Sequence, residues 1–204
     1  MTRTLARRGP NSEGFYVDPA GSCGLGHRRL SIIDLEGGHQ PLATPDGQIQ
    51  VIVNGELYNF EDLRRRLEGK GHVFRTRSDS EVLVHGYAEW GREIFERIDG
   101  MFAAAIWDAS RRKLFLARDR MGKKPLYYAF VGPARDTLIF GSELKALAAH
   151  PEMDRTVGAP ALAAYLAYEC YPEDESVYEC AHKLLPGTAL GWDPAARRAE
   201  TFSF

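Results

Sequence analysis

Three consecutive β-branched residues, Val51, Ile52 and Val53, followed at once by Asn54-Gly55, constrain this chain more than any other stretch. The run predicts a short buried strand. Asn-Gly is the strongest two-residue signal for a tight turn with positive φ, so a hairpin is expected there. The same pair can also do chemistry. An asparagine amide and the backbone N–H of the following glycine are two neutral donors able to converge on one developing oxyanion. The residues themselves leave both readings open.

The chain has 204 residues, 44% hydrophobic and 26% charged, enough to bury one real core and to form one domain. The longest apolar run, Met101 to Trp107, is too short to span a bilayer, and the first ten residues have no apolar core of a signal peptide. A cytoplasmic protein is expected. A net charge of −2 and a pI near 6.3 lack the basic excess that a phosphate backbone demands, which argues against nucleic-acid binding. Cys23, Cys170 and Cys180 are odd in number and lack metal-ligand spacing, so neither a disulfide framework nor a metal site is implied.

Taken in order, Arg7 to Gly14 reads as a turn. Gly21 to Asp34 ends in a strand-like segment whose alternation puts Leu30 and Ile32 on one face and Arg29 and Ser31 on the other. Arg28 and Arg29 suit a solvated face, but a guanidinium can also fork a carboxylate with two parallel hydrogen bonds. After the central turn, Phe60, Leu63 and Leu67 recur at helical spacing until Gly69 and Gly71 stop the helix. His72 to Asp79 reads as a short strand entering a second helix, with Ser78 and Glu81 as its capping box. Asp79 is then either a helix N-terminal stabiliser or a ligand for an ammonium group. From Asp99 onward four strand-like runs separated by turns predict a meander, and helices follow at 142–150 and 159–169. Residues 183–204 suggest a small edge hairpin. The class is α+β, one domain over 1–204, without repeats or low-complexity linkers.

The segments RRGPNSEG, GHRRLSIIDL with GGHQPL, VNGELYNF and SDSEVLVHGY stand in this order, followed by GMFAAAIWD and LFLARDRMGKKPLYY. Together they resemble the glutamine amidotransferase domain of the glutamine-hydrolysing asparagine synthetases, over essentially the whole chain. The resemblance implies a four-layer αββα sandwich of the N-terminal nucleophile hydrolase type. It implies that Arg29 binds the glutamine α-carboxylate, that Leu30 and Ile32 shape the adjoining pocket, that Asn54 and Gly55 form an oxyanion hole, and that Glu56 and Asp79 face the α-ammonium. In that family the nucleophile is an N-terminal cysteine with its own α-amino group as base. No residue of this chain matches it, and the strand that carries it and most of the first helix are expected to lie outside these residues.

Cys23 is internal, in GSCGLGH, and reads as a structural thiol. Thr2 could become N-terminal, but it stands too close to the RGP turn to begin a strand that precedes a whole helix. A C-terminal synthetase domain, with its ATP and magnesium, is implied as a partner and matches no residue here; a homodimer is a family expectation. Two alternatives remain: a non-catalytic glutamine-binding or scaffold module, and a class II amidotransferase domain serving another acceptor.

Overall fold

The computed structural model describes residues 1–30, 37–172 and 174–204. Its strands are β1 (Ser12–Val17), β2 (Gly24–Arg29), β3 (Leu42–Ala43), β4 (Ile49–Leu57), β5 (Gly100–Asp108), β6 (Lys113–Arg118), β7 (Tyr127–Val131), β8 (Thr137–Gly141), β9 (Ala181–Lys183), β10 (Thr188–Asp193) and β11 (Arg198–Ser203). The α-helices are α1 (Phe60–Glu68), α2 (Glu81–Trp90), α3 (Ile94–Arg97), α4 (Leu144–Ala148) and α5 (Ala159–Tyr168). A 3-10 turn, Thr2–Leu5, opens the chain.

A six-stranded sheet in the order β11-β10-β6-β5-β4-β3 forms the centre. Strand alternation gives it two apolar faces. Val51, Val53, Phe102, Ala104 and Ile106 point to one side, where Leu63 and Leu67 of α1, Val82 to Val84 of α2 and Phe95 of α3 cover them. Ile52, Ala103, Ala105, Trp107 and Leu116 point to the other, against Leu25 of β2 and Leu138 and Phe140 of β8. That second layer contains two separate sheets, β1-β2 and β8-β7-β9. Beyond it, Ala129, Val131 and Ile139 pack against Leu147 of α4 and Met153. The result is the αββα sandwich expected from the resemblance.

Several local expectations fail for identifiable reasons. Asn54-Gly55 is no turn but the interior of β4, whose pairing with β5 runs unbroken from Ile49↔Asp108 to Leu57↔Gly100. The expected meander is split: β5 and β6 pair in the central sheet, whereas β7 pairs β8 in the opposite layer. No strand forms between His72 and Asp79. The Ser78–Glu81 capping box is also absent. The N-cap of α2 is Ser80, and Glu81 instead reaches back to accept the N–H groups of Arg75 and Thr76, each at 2.8 Å. Ser12–Val17, read as the end of a turn, is a strand antiparallel to β2.

The segment 118–124 ties the layers together. Asp119, 1% exposed, accepts the N–H groups of Phe102, Met121, Lys123 and Lys124. Arg118 donates to the carbonyls of Gly122, Lys124 and Leu184, so these charges are structural rather than solvated. Residues 188–203 form the expected edge hairpin, with β10 paired to β6 and β11 outermost.

Candidate active site

Strand β3 pairs with β4 only at Leu42↔Val51 and Ala43↔Gln50, so this edge of β4 is open beyond Val51. Side chains take over the ladder. The Val53 N–H donates to Gln40 Oε1 at 2.6 Å, and the Val53 carbonyl accepts from His27 Nε2 at 3.1 Å. Four residues on, the Leu57 N–H donates to Asp79 Oδ2 at 2.8 Å. Tyr58 bonds to Asp99 on the opposite, β5 side. The two-residue period of a strand therefore turns the Gly55 N–H to the same open edge, between Val53 and Leu57, where it has no partner among the described residues.

Glycine at this position has a steric cause. A Cβ on Gly55 would stand 2.0 Å from the Met101 carbonyl oxygen, so the close approach of β5 excludes any side chain. The Asn54 carboxamide is held loosely, with Nδ2 3.5 Å from Ser142 Oγ.

Asp79 is 5% exposed, and its Oδ1 lies 3.4 Å from both the Ser78 and Ser80 hydroxyls. These contacts leave acceptor capacity on a carboxylate with about four lone-pair directions. Glu81 anchors the approach to it. Burial opposes its charge, yet hydrogen bonds from His85, the Arg75 and Thr76 N–H groups and the Thr76 hydroxyl outweigh that and bring its pKa down to about 2.

On β2 the expected facing is inverted. Arg29 is 6% exposed and Leu30 is 58% exposed, because Leu25, His27 and Arg29 share the inward parity. Burial drives the His27 pKa down to about 4, so the ring is neutral near pH 7 and Nε2 carries the proton it donates to Val53. Gly26 points the opposite way, and a Cβ there would stand 2.1 Å from Thr2 Oγ1. Thr2 thus packs against β2 at Gly26, and both line the same cavity as Asn54. Burial, reinforced by Asp18, pushes the Cys23 thiol up to about 12, the opposite of an activated nucleophile.

A cavity of about 410 Å³ gathers Arg29, Leu30, Asn54, Gly55, Glu56 and Asp79 on its walls. Ile32 lies outside the described residues. A buried guanidinium, two neutral donors and two carboxylates can hold an α-amino acid at one end and polarise a carbonyl at the other. Sequence reasoning missed Gln40, His27 and Ser142, which position β4 or touch Asn54. The only available signal was their placement in the GGHQPL, GHRRL and FGSE segments.

Comparison with known proteins agrees with this architecture. The profile described as glutamine amidotransferase domain matches residues 1–203. "Asparagine synthetase [glutamine-hydrolyzing] 3" of Bacillus subtilis is 45% identical over 159 residues, 77% of this chain and 25% of that protein. "Asparagine synthetase [glutamine-hydrolyzing] 1" of the same organism is 39% identical over 188 residues, 92% of this chain and 29% of that protein. The chain thus spans about a quarter of the length of the curated relatives it matches. Among solved structures, the glutamine phosphoribosylpyrophosphate amidotransferase of B. subtilis superposes with a TM-score of 0.58 at 20% identity, over 88% of this chain and 34% of that one, which supports the fold alone. On the strength of the match over 1–203, the chain belongs to the glutamine amidotransferase domain family.

Proposed function

We propose that this domain binds L-glutamine in the 410 Å³ cavity and serves as the glutaminase part of a glutamine-dependent asparagine synthetase. The observation that carries the reading is the convergence of Arg29, Asn54, Gly55, Glu56 and Asp79 on one cavity from three separate chain segments. In this reading Arg29 forks the α-carboxylate, and Glu56 and Asp79 neutralise the α-ammonium. The Asn54 amide and the Gly55 N–H receive the side-chain carbonyl oxygen.

A thiolate supplied from outside residues 1–204 attacks the amide carbon. The C–N bond breaks with protonation of the leaving nitrogen, giving ammonia and a γ-glutamyl thioester, which water hydrolyses to glutamate and free thiol. The oxyanion of both tetrahedral intermediates rests on the two neutral donors. Ammonia then passes to an ATP-dependent synthetase domain that amidates aspartate.

Calorimetric titration with L-glutamine tests the binding half. Saturable one-to-one binding is expected, weakened at least tenfold by Arg29→Lys, which cannot fork the carboxylate. Equal affinity of that variant, or equal affinity for glutaramic acid, which has no α-amino group, would sink the assignment.

A further inference from the structure

The charged side chains on the walls of the 410 Å³ cavity do not all find a partner on glutamine. The side-chain cations there are Arg8, Arg28, Arg29 and Lys124. Arg8 pairs with Glu143 at 3.4 Å and Arg28 with Glu13 at 2.6 Å, so both have carboxylates of their own. In the proposed binding mode Arg29 takes the α-carboxylate, while the wall carboxylates Glu56 and Asp79 take the α-ammonium. Lys124 is left over. Among the described residues its hydrogen bonds all run through the backbone: the N–H donates to Asp119 Oδ2 at 3.0 Å and the carbonyl accepts from Arg118 Nε at 2.9 Å. The neutral carboxamide of glutamine offers its ammonium no counter-charge.

Two features of the fold carry Lys124 to the carboxamide end of the cavity. Asn54, Ala103 and Arg118 are cross-strand partners in one row of the central sheet, so Arg118 starts two strands, about 10 Å, from Asn54. Arg118 and Asp119 then clamp the Lys124 backbone between them. The second feature is β7. Its first residue, Tyr127, pairs with Gly141 at the end of β8, which brings the segment entering β7 toward Ser142, the residue 3.5 Å from the Asn54 carboxamide. Half-buried Lys124, Gly141 and Ser142 all line the cavity. Asp79 approaches from elsewhere, bound to Leu57 at the open edge of β4. Asn54 thus stands between the carboxylate for one end of an amino acid and a cation at the other.

We propose that Lys124 makes this cavity a site for free L-glutamate as well as for glutamine, with the γ-carboxylate on its ammonium. The inference rests on the glutaminase reading for the α end, where Arg29, Glu56 and Asp79 act alike on both amino acids. At the far end the two ligands differ by one charge. A carboxamide uses the neutral donors Asn54 and Gly55, whereas a carboxylate adds an ion pair with Lys124. Inside a cavity that pair is screened less than it would be in water, so it adds measurably to affinity. Length selects too: aspartate, one methylene shorter, cannot engage Arg29 and Lys124 together. Glutamate is then a competitor of glutamine for one site, and its accumulation lowers the fraction of the domain loaded with glutamine.

Calorimetry with the intact chain tests this. L-Glutamate is expected to bind saturably and to displace L-glutamine one for one, with L-aspartate at least tenfold weaker. Lys124→Met is expected to weaken glutamate at least tenfold and to leave glutamine within about twofold, while Lys124→Arg, which keeps the charge, restores most of the glutamate affinity. Retained glutamine binding shows that the variant is folded. Should Lys124→Met misfold, NMR of the Lys124 side chain in the parent decides: its Cε and Nζ resonances are expected to move with glutamate and not with glutamine. Unchanged glutamate affinity in Lys124→Met, equal loss of both ligands in the folded variant, or resonances indifferent to glutamate would overturn the proposal. Glutamine binding without glutamate binding would also overturn it and leave the glutaminase reading standing. Glutamate binding that depends on Lys124, with no binding of glutamine, would keep the role of the cation and discard the glutaminase reading.

Discussion

The Leu57 amide donates to Asp79 Oδ2 at 2.8 Å, which fixes the end of β4 to the segment entering α2. One oxygen of a buried carboxylate thus holds the backbone, while the residue also lines the cavity. Asp79→Asn keeps an acceptor for Leu57 but removes the charge. A stability loss of about 1–2 kcal/mol is expected, together with at least tenfold weaker glutamine binding. Unchanged affinity, measured by calorimetry, would show that Asp79 does not face the ammonium.

Gly55 allows β4 and β5 to close on each other. Gly55→Ala places a methyl 2.0 Å from the Met101 carbonyl oxygen, a contact that backbone must move to relieve. The expected loss is about 2–4 kcal/mol in urea unfolding. A loss under about 0.5 kcal/mol would mean that the strands separate at little cost.

His27 is held neutral by burial, with a folded pKa of about 4 against an ordinary 6.5. The unfolded chain therefore binds the proton first. Stability associated with this ring is complete above pH 6.5 and declines as pH falls from 6.5 toward 4. In proton NMR its imidazole resonances are expected to stay unshifted down to pH 5. A midpoint near 6.5 would place the ring in water.

Glu81 behaves with the opposite chemistry and the same outcome in acid. Its folded pKa of about 2 lies below the ordinary 4.5, so its contribution is present above pH 4.5 and is lost as pH falls toward 2. The amount is on the order of 3 kcal/mol. Urea midpoints at pH 6 and pH 3 are expected to differ more for the parent than for Glu81→Gln; equal pH dependence would refute the clamp on residues 75–76.

Thiol reactivity separates the cysteines. Cys170 is exposed, whereas Cys23 is half-buried and its thiol is pushed up to about 12. Iodoacetamide at pH 8 is expected to label Cys170 at least tenfold faster than Cys23, read by peptide mass spectrometry. Equal rates would remove the argument that Cys23 is inert.

The helix at 60–68 was legible because apolar spacing and a glycine stop are local signals. The candidate site residues were singled out only through their segments' resemblance, since Asn54-Gly55 read locally as a turn. What defeats that reading is tertiary: β5 lies alongside and gives both residues regular cross-strand partners, so the pair stays extended. The facing of Arg29 was misread because burial of a charge follows from the site rather than from hydropathy. Gln40 and His27 were missed for a similar reason. They replace strand partners at an edge whose ending no sequence pattern marks.

The knot at Arg118 and Asp119 has a thermodynamic consequence. Because one end grips Phe102 of the central sheet and the other the Leu184 carbonyl beyond β9, the spacing between the layers is set when the domain folds. A guest entering that space meets walls already at their final separation, so little ordering cost falls on the binding step.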